Sequence, residues 1–284
     1  MASKTPEAML RELKLTPDET HMIVEEAERI ISETLSANEL FLANDRHLSK
    51  SEWKLVKAKE KVQVFRSRKD KKSKKPCPVT NTIMTTLGRQ SSCGARSRSD
   101  TSDTSSTDRR LDSNLSSDSS GSSDGCSPTC GSSSCDHTAE INRTKPVHIP
   151  LLIATGIIAG TVDDVAFGNL AHTERLTRYR DAHIQDEYAA TKILATILRP
   201  TAEEPFQSLV IKWSTKSMGP LSRMRDCVFI EANGIAISAS GERMAYSLLH
   251  SIDNIPRIPG FKHLDIVRVN MSTCYLSRRY DQSS

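Results

Sequence analysis

The feature that most constrains this chain is a segment of 80 residues, 67–146, that no packed core can include. The segment holds 14 apolar residues and no Phe, Trp or Tyr. Between Ser91 and Ser134, 18 of 44 residues are serine. Such a sequence cannot bury enough apolar surface to offset the entropy cost of ordering it. We therefore expect a disordered insertion, flanked by residues 1–66 and 147–284, which together form one folded domain.

The flanking residues have the composition of a globular protein. Outside the insertion the chain is about 45% apolar, which excludes fibrous, collagen-like and wholly disordered proteins. The longest apolar run, 149–160, has 12 residues, whereas a membrane-spanning helix needs about 20. Five of the seven cysteines lie in the insertion, so a disulfide framework is not expected. The charged first residues lack a signal-peptide core, and we expect a cytoplasmic protein, peripheral to membranes at most.

The first folded segment is predicted to be an amphipathic helix that packs on a core. Thr16-Pro17-Asp18-Glu19 is a capping box with proline at the first helical position. Glu25 and Arg29 have the spacing of a solvent-side ion pair, and Ala43 to Asp45 marks the helix end. The apolar stripe that follows helical spacing consists of Ile23, Ala27, Ile30, Ile31 and Leu35.

The rest of the folded sequence alternates apolar and polar residues as strands do. Strand-like segments lie at 53–56, 61–66, 149–154, 189–198, 206–213, 227–237, 242–251 and 264–276. Short helices are predicted from Thr161 to Gly168 and from Thr173 to Ala182. One helix followed by many strands predicts an α+β domain with a curved antiparallel sheet. In the last segment, alternation places five residues on one face: Val267, Val269, Met271, Thr273 and Tyr275.

Four residues in the insertion, Cys126, Cys130, Cys135 and His137, are zinc-ligand types. Structural zinc sites pair ligands two to four residues apart and nucleate an apolar mini-core. The neighbours here are Ser, Gly, Pro and Thr. Incidental cysteines in a polar segment are therefore the favoured interpretation, and no metal or other cofactor is expected.

Two further groups carry residue types that catalysis uses. Asp163 and Asp164 could serve metal or acid–base chemistry, but they lie in the first turn of a predicted helix, where capping is favoured. His250, Ser251 and Asp253 are the residue types of a hydrolase triad. Adjacent positions in a strand point to opposite faces, so His250 and Ser251 should not meet. We therefore expect no enzymatic activity.

The insertion opens with a basic run, Lys69 to Lys75, interrupted by Asp70 and Ser73. Such a run can contact anionic lipid or nucleic acid, act as a nuclear signal, or be merely solvated. We expect transient contact with anionic membranes and no nucleic-acid partner. The SSD triplets at Ser116 and Ser122 resemble acidic-directed phosphorylation sites.

An ordered series of sequence blocks carries a family resemblance. The blocks are WKLVKAKEKVQVFRSR, IATGIIAGTVDDVAFG, HIQDEYAATKILATI, RPTAEEPFQSLVIKW, RMRDCVFIEANGI, SGERMAYSLLHSID and IVRVNMSTCYL. Their order resembles the START-like lipid-binding domain of oomycete proteins, many of which carry a FYVE zinc finger downstream. The resemblance covers roughly 10–66 and 147–280, and its densest motif runs from Arg225 to Phe229.

The resemblance implies a helix-grip fold, in which a curved antiparallel sheet and its helices enclose an apolar cavity. Such a module binds a sterol or a phospholipid by burying its apolar part and needs no catalytic residue. Arg225 and Asp226, as an ion pair at the start of a strand, would fix the sheet edge or meet a polar headgroup, and His250 and Arg268 are weaker candidates. The candidate lipid-binding residues are Leu209, Ile211, Trp213, Arg225, Asp226, Tyr246, Leu248, His250 and Arg268, beside Val228 and Ile230 on the same inward faces.

The chain departs from the family pattern in two places. The insertion at 67–146 interrupts it, which loop-closure entropy tolerates. The sequence also stops without the C-terminal helix that closes the family's cavity, and without a FYVE finger. We expect a truncated or diverged member whose last strand exposes an apolar face. The alternative is a START-derived interaction or regulatory protein that binds no lipid and carries a phosphorylatable serine-rich loop.

Overall fold

The structure is a computed structural model and describes residues 5–68, 150–184, 190–217, 219, 222–252, 255 and 257–280, with the backbone of 81–89. The helices are α1 (Pro6–Met9), α2 (Pro17–Ala43), α3 (Val162–Asn169), α4 (Glu174–Ile184) and a 3₁₀ turn, Lys262–Leu264. The strands are β1 (Trp53–Lys59), β2 (Val62–Ser67), β3 (Asn81–Arg89), β4 (Leu151–Ala159), β5 (Ala190–Leu198), β6 (Ser208–Lys216), β7 (Arg225–Ile237), β8 (Arg243–Ser251), β9 (Val267–Arg268) and β10 (Ser272–Arg279). The predicted α+β class is confirmed.

Helix α2 begins and ends where the sequence predicts. Thr16 accepts a hydrogen bond from the Glu19 amide at 3.2 Å, and Glu19 Oε2 accepts one from the Thr16 amide at 2.9 Å. Asn44 caps the other end. The predicted partner of Arg29 is wrong: its guanidinium pairs with Glu26 at 2.7 Å and Glu33 at 3.3 Å, three and four residues away, rather than with Glu25.

The strands form one sheet in the order β1-β2-β4-β3-β10-β8-β7-β6-β5, with β9 paired to the start of β7. Neighbours are antiparallel except at β3, which is parallel to both β4 and β10, and at β9. The predicted antiparallel arrangement is therefore confirmed for the other strand pairs, and β3 and β9 are parallel exceptions to it. β3 lies inside the segment predicted to be disordered, so that prediction is corrected at 81–89 and at 67–68. The rest of that segment lies outside the described residues.

The sheet has two covered faces. On one, the apolar stripe of α2 packs against β6, β7, β8 and β10 in a single buried cluster. We call this the α2 face. On the other, α3 packs against β7, β8 and β10, and α4 packs against β5. Every residue from Ser208 to Thr215 is buried, because β6 is covered on both sides.

The predicted strand from Leu264 to Leu276 is two strands with different partners. β9 pairs with the start of β7, whereas β10 pairs with β8. The change of partner interrupts the alternation, so the predicted common face from Val267 to Tyr275 does not exist. In β10 the residues opposite His250, Leu248 and Tyr246 are Ser272, Cys274 and Leu276, and Cys274 and Leu276 are buried in the α2 face.

Candidate functional site

The residues expected to line an apolar cavity do share one face. Cross-strand partners Ile211 and Ile230, like Trp213 and Val228, lie opposite each other on β6 and β7 and therefore point the same way. All belong to the cluster beneath α2, where Ile23, Ala27 and Ile30 cover them. Leu209, Ile211, Trp213, Val228, Ile230 and Leu248 are each at most 2% exposed. The predicted inward face is thus filled by side chains of the chain itself.

Tyr246 lies at the margin of this cluster, half-buried and packed against it. Its cross-strand partner is Gly234. A Cβ at position 234 would lie 2.5 Å from the Tyr246 hydroxyl and 2.7 Å from Cζ. Glycine is therefore required here, because the ring lies directly over the backbone of β7. Burial raises the pKa of Tyr246 to about 12.

A strip of polar side chains lies between α2 and the sheet. His250 Nδ1 is 2.9 Å from Ser272 Oγ, and His250 Nε2 is 3.5 Å from Glu26 Oε1. Thr34 Oγ1 donates to the Ile30 carbonyl at 2.7 Å. The Asn38 amide nitrogen meets only Met244 Sδ, at 4.0 Å.

Two acceptors on α2 have no donor among the described residues. Asn38 Oδ1, in this strip, and Glu33 Oε2, elsewhere on the helix, are buried and accept no hydrogen bond from the described part of the chain. A buried polar atom left unpaired costs about 1–3 kcal/mol. The interface between α2 and the sheet is therefore apolar overall but carries unmet hydrogen-bonding capacity.

Asp226 has a structural partner that differs from the expected one. Its carboxylate accepts hydrogen bonds from Arg268 Nε at 2.9 Å, Arg268 Nη2 at 2.7 Å and Trp213 Nε1 at 2.9 Å. Arg225, which the sequence couples with Asp226, is only half-buried and lies opposite Lys216 and Val267. Asp226 is 1% exposed. It therefore fixes the start of β7 to β9.

The opposite face holds a buried ionic cluster that the sequence analysis missed. Lys212 Nζ donates to Glu231 Oε2 at 2.9 Å, the Ala171 carbonyl at 2.6 Å and Thr177 Oγ1 at 2.9 Å. Arg180 Nη1 donates to Glu231 Oε1 at 2.8 Å. Three donated bonds require all three ammonium protons, so Lys212 is charged. The cluster joins α4 and the loop before it to the centre of the sheet.

The pKa values in this cluster follow burial and the facing charges. Burial lowers the pKa of Lys212, and the negative charge of Glu231 partly offsets this lowering. Burial also acts against ionisation of Glu231, but Lys212 and Arg180 outweigh it and lower its pKa. Asp181 has a raised pKa through burial. The sequence signal that could have identified the pair of Lys212 and Glu231 is one charged residue in each of two neighbouring apolar strand segments.

A cavity of about 260 Å³ opens at the end of the sheet where β5 connects to β6. Its size is below the ~300–1,000 Å³ that drug-sized ligands occupy, so a whole sterol or phospholipid does not fit. Its lining residues are Glu203, Glu204, Pro205, Phe206, Gln207, Ile235, Arg243 and Tyr246. Tyr246 therefore connects this cavity with the α2 face.

The other candidate groups have structural roles or lie outside the described residues. Asp164 forms a capping box with Thr161, as the helix-start interpretation predicts, and Asp163 pairs with Arg243 at 2.6 Å. Ser251 faces away from His250 and is 3.2 Å from Cys227 Sγ. In the part of the chain that the structure describes, no cluster of three His, Cys, Asp or Glu side chains could hold a metal ion. The Cys126–His137 group, Asp253 and the Lys69–Lys75 run fall outside that part.

Comparison with known proteins identifies no relative. No family model matches the chain, nor does any curated protein or any solved structure. Of the helices in the described ranges, none has the length and apolar character to cross a membrane. The START-like resemblance therefore stays a prediction based on sequence blocks, and the function must be argued from the geometry above.

Proposed function

We propose that this protein is a non-enzymatic lipid-binding module of the START-like, helix-grip type, acting in the cytoplasm. Its ligand, a sterol or a phospholipid, would lie between α2 and the sheet. The observation that supports this most is the mixed character of that interface. The interface is a large apolar surface, and α2 carries two buried acceptors, Asn38 Oδ1 and Glu33 Oε2, that lack donors among the described residues. A ligand with an apolar body and a hydroxyl or amide donor matches both properties.

Binding requires α2 to move away from the sheet, and its polar attachments support such a movement. Arg257 holds Glu19 at the helix start through bonds of 2.7 and 2.8 Å. Near the other end, Glu39 Oε1 accepts from the Ala239 amide at 3.0 Å. These attachments lie near the two ends, and the stretch between them is held mainly by apolar contacts. Apolar contacts are non-directional, so a ligand's apolar surface can replace those of the helix.

A removable tether between α2 and the sheet tests this proposal. Thr34→Cys can form a disulfide with the native Cys274, because these two side chains already touch across the interface, in a background whose insertion cysteines are replaced by serine. We expect the reduced protein to extract a fluorescent sterol or phospholipid from vesicles and the oxidised protein to extract neither. The matched control combines Thr34→Cys with Cys274→Ala, which removes the tether, and should extract lipid under both conditions. Failure of the folded, reduced protein to extract either lipid would contradict lipid binding.

One observation favours the alternative, an interaction or regulatory protein without lipid binding. The side chains expected to line a cavity already fill one another's space, with Ile211, Trp213 and Leu248 fully buried. In that case the domain is a stable scaffold, and the phosphorylatable serine-rich segment around Ser116 and Ser122 carries regulation. The alternative predicts no lipid extraction in either redox state and phosphate-dependent capture of a protein partner.

A further inference from the structure

The hairpin of β1 and β2, here called the basic hairpin (residues 53–67), gathers four of its five cations on one face, and the fifth, Lys61, lies in the turn. Lys54 is opposite Arg66, Lys57 is opposite Val64, and Lys59 is opposite Val62. Opposed residues of an antiparallel pair share a face. Alternation alone would put Lys54 and Lys57 on opposite faces, but a bulge at Val56 adds one residue between them. Lys54, Lys57, Lys59 and Arg66 therefore point the same way.

This arrangement has no stabilising role within the fold. All four cations are exposed. Lys54 and Arg66 lie directly opposite each other, and like charges in that position destabilise a sheet. Among the described residues, the acid that pairs with this face is Glu60 in the turn, 3.9 Å from Lys59, with both side chains about four-fifths exposed. A pair this exposed contributes little, so the face keeps a strong positive charge.

The side chains between the cations are apolar. Val62 and Val64 alternate with Arg66 on the same face and are only half-buried. At the outer edge of the sheet, Leu55 and Val56 are each 49% exposed. Nucleic-acid phosphates and base edges also attract lysine and arginine, but single-strand binding adds aromatic side chains on which bases stack. This face carries no aromatic side chain, whereas valines among lysines gain free energy in the headgroup region of a bilayer.

We propose that the basic hairpin docks this protein onto an anionic lipid surface. The four cations meet the lipid phosphates and carboxylates, while Val62, Val64 and the bulged Val56 contact the acyl–headgroup boundary. The hairpin lies at the free β1 edge of the sheet, so docking there leaves α2 unobstructed. The inference holds whether or not a lipid binds beneath α2, because the two surfaces share no residue.

The test measures partition of the full chain onto vesicles of phosphatidylserine and phosphatidylcholine. The variant combines Lys54→Gln, Lys57→Gln and Arg66→Gln, which relieves like-charge repulsion and should not unfold the hairpin. We expect binding to fall about fivefold per cation, or about a hundredfold in total. Each cation near an anionic surface is worth about 1 kcal/mol, and about 1.4 kcal/mol is a factor of ten. The Lys69–Lys75 run stays intact in every protein.

A charge-matched control combines Arg11→Gln, Lys14→Gln and Lys262→Gln, all at exposed positions outside the hairpin. It should retain most of the vesicle binding. Equal loss in both triple variants, or no loss in the hairpin variant, would overturn the proposal.

A second experiment measures binding of the same proteins to a short DNA duplex at the same salt concentration. The double variant Val56→Thr with Val64→Thr should weaken binding to vesicles and leave binding to the duplex unchanged. If the protein binds the duplex tightly and these threonines do not alter that binding, the partner of this face is a nucleic acid and the membrane proposal is wrong.

Discussion

The guanidinium of Arg268 donates two hydrogen bonds to the carboxylate of Asp226, from Nε at 2.9 Å and from Nη2 at 2.7 Å. The two residues are 42 positions apart and belong to β9 and β7. The pair is a polar link between the segment 257–269 and the sheet, beside the apolar packing of Phe261 on Trp213, and β9 adds two backbone pairings. Trp213 completes the arrangement from β6.

Replacement of Arg268 should therefore be strongly destabilising. Arg268→Gln leaves a fully buried carboxylate with Trp213 as its remaining side-chain partner. We expect a loss of about 3–5 kcal/mol in the free energy of unfolding, as for other broken buried pairs, measured by urea denaturation. Arg223→Gln is the matched control, since its pair with Asp265 is about 70% exposed and should cost at most about 1 kcal/mol. Equal effects of both would contradict the structural role of Asp226.

Replacement of Lys212 tests the ionic cluster of the opposite face. Lys212→Met should cost about 3–5 kcal/mol, because Glu231 then keeps a buried charge with Arg180 as its only cation. Adding Glu231→Leu should recover much of that loss, since removing both partners leaves no uncompensated buried anion in the centre of the sheet. The measurement is a double-mutant cycle by chemical denaturation. Strict additivity of the two changes would contradict the direct coupling seen here.

Acid should weaken the attachment of the α2 start. The hydrogen bonds from Arg257 and from the Thr16 backbone lower the pKa of Glu19 from 4.5 to about 2. A lowered pKa in the folded state stabilises the fold above the unfolded value and ceases to do so as the pH falls through the folded value. The stability difference between the native chain and Glu19→Gln should therefore be constant above pH 4.5 and vanish towards pH 2. Glu12→Gln, at an exposed position, is the control and should show no such window.

A methyl group at position 234 should destabilise the fold, because it would clash with the ring of Tyr246. Gly234→Ala places a Cβ 2.5 Å from the Tyr246 hydroxyl and forces the ring to shift. We expect destabilisation of about 1–3 kcal/mol, typical of overpacking, in thermal or urea unfolding. In a Tyr246→Ala background the same substitution should cost almost nothing. An undiminished cost there would show that the backbone, rather than the ring, demands glycine.

What the sequence could predict was local. The boxes at Thr16–Glu19 and Thr161–Asp164 need only residues one turn apart, and both are confirmed. Alternation likewise identified the shared face of Leu209, Ile211 and Trp213, because residues two positions apart in a strand point to the same side of the sheet.

What the sequence could not predict depends on partners far along the chain. Asp226 was coupled with its neighbour Arg225, whereas its partner lies 42 residues on. The segment 264–276 was interpreted as one strand because its alternation is regular, yet β9 and β10 pair with different strands. Local composition does not indicate which distant strand or side chain a residue pairs with.

The bulge at Val56 has a consequence for how this hairpin can evolve. Val56 is an extra residue with no partner in β2. If it were deleted, Lys54, Lys57 and Lys59 would lie at every second position of a regular strand and would still share one face. An insertion elsewhere in β1 would instead separate them without altering the number of charges. The electrostatic character of this edge is thus encoded by spacing, and two chains of identical composition could differ in it completely.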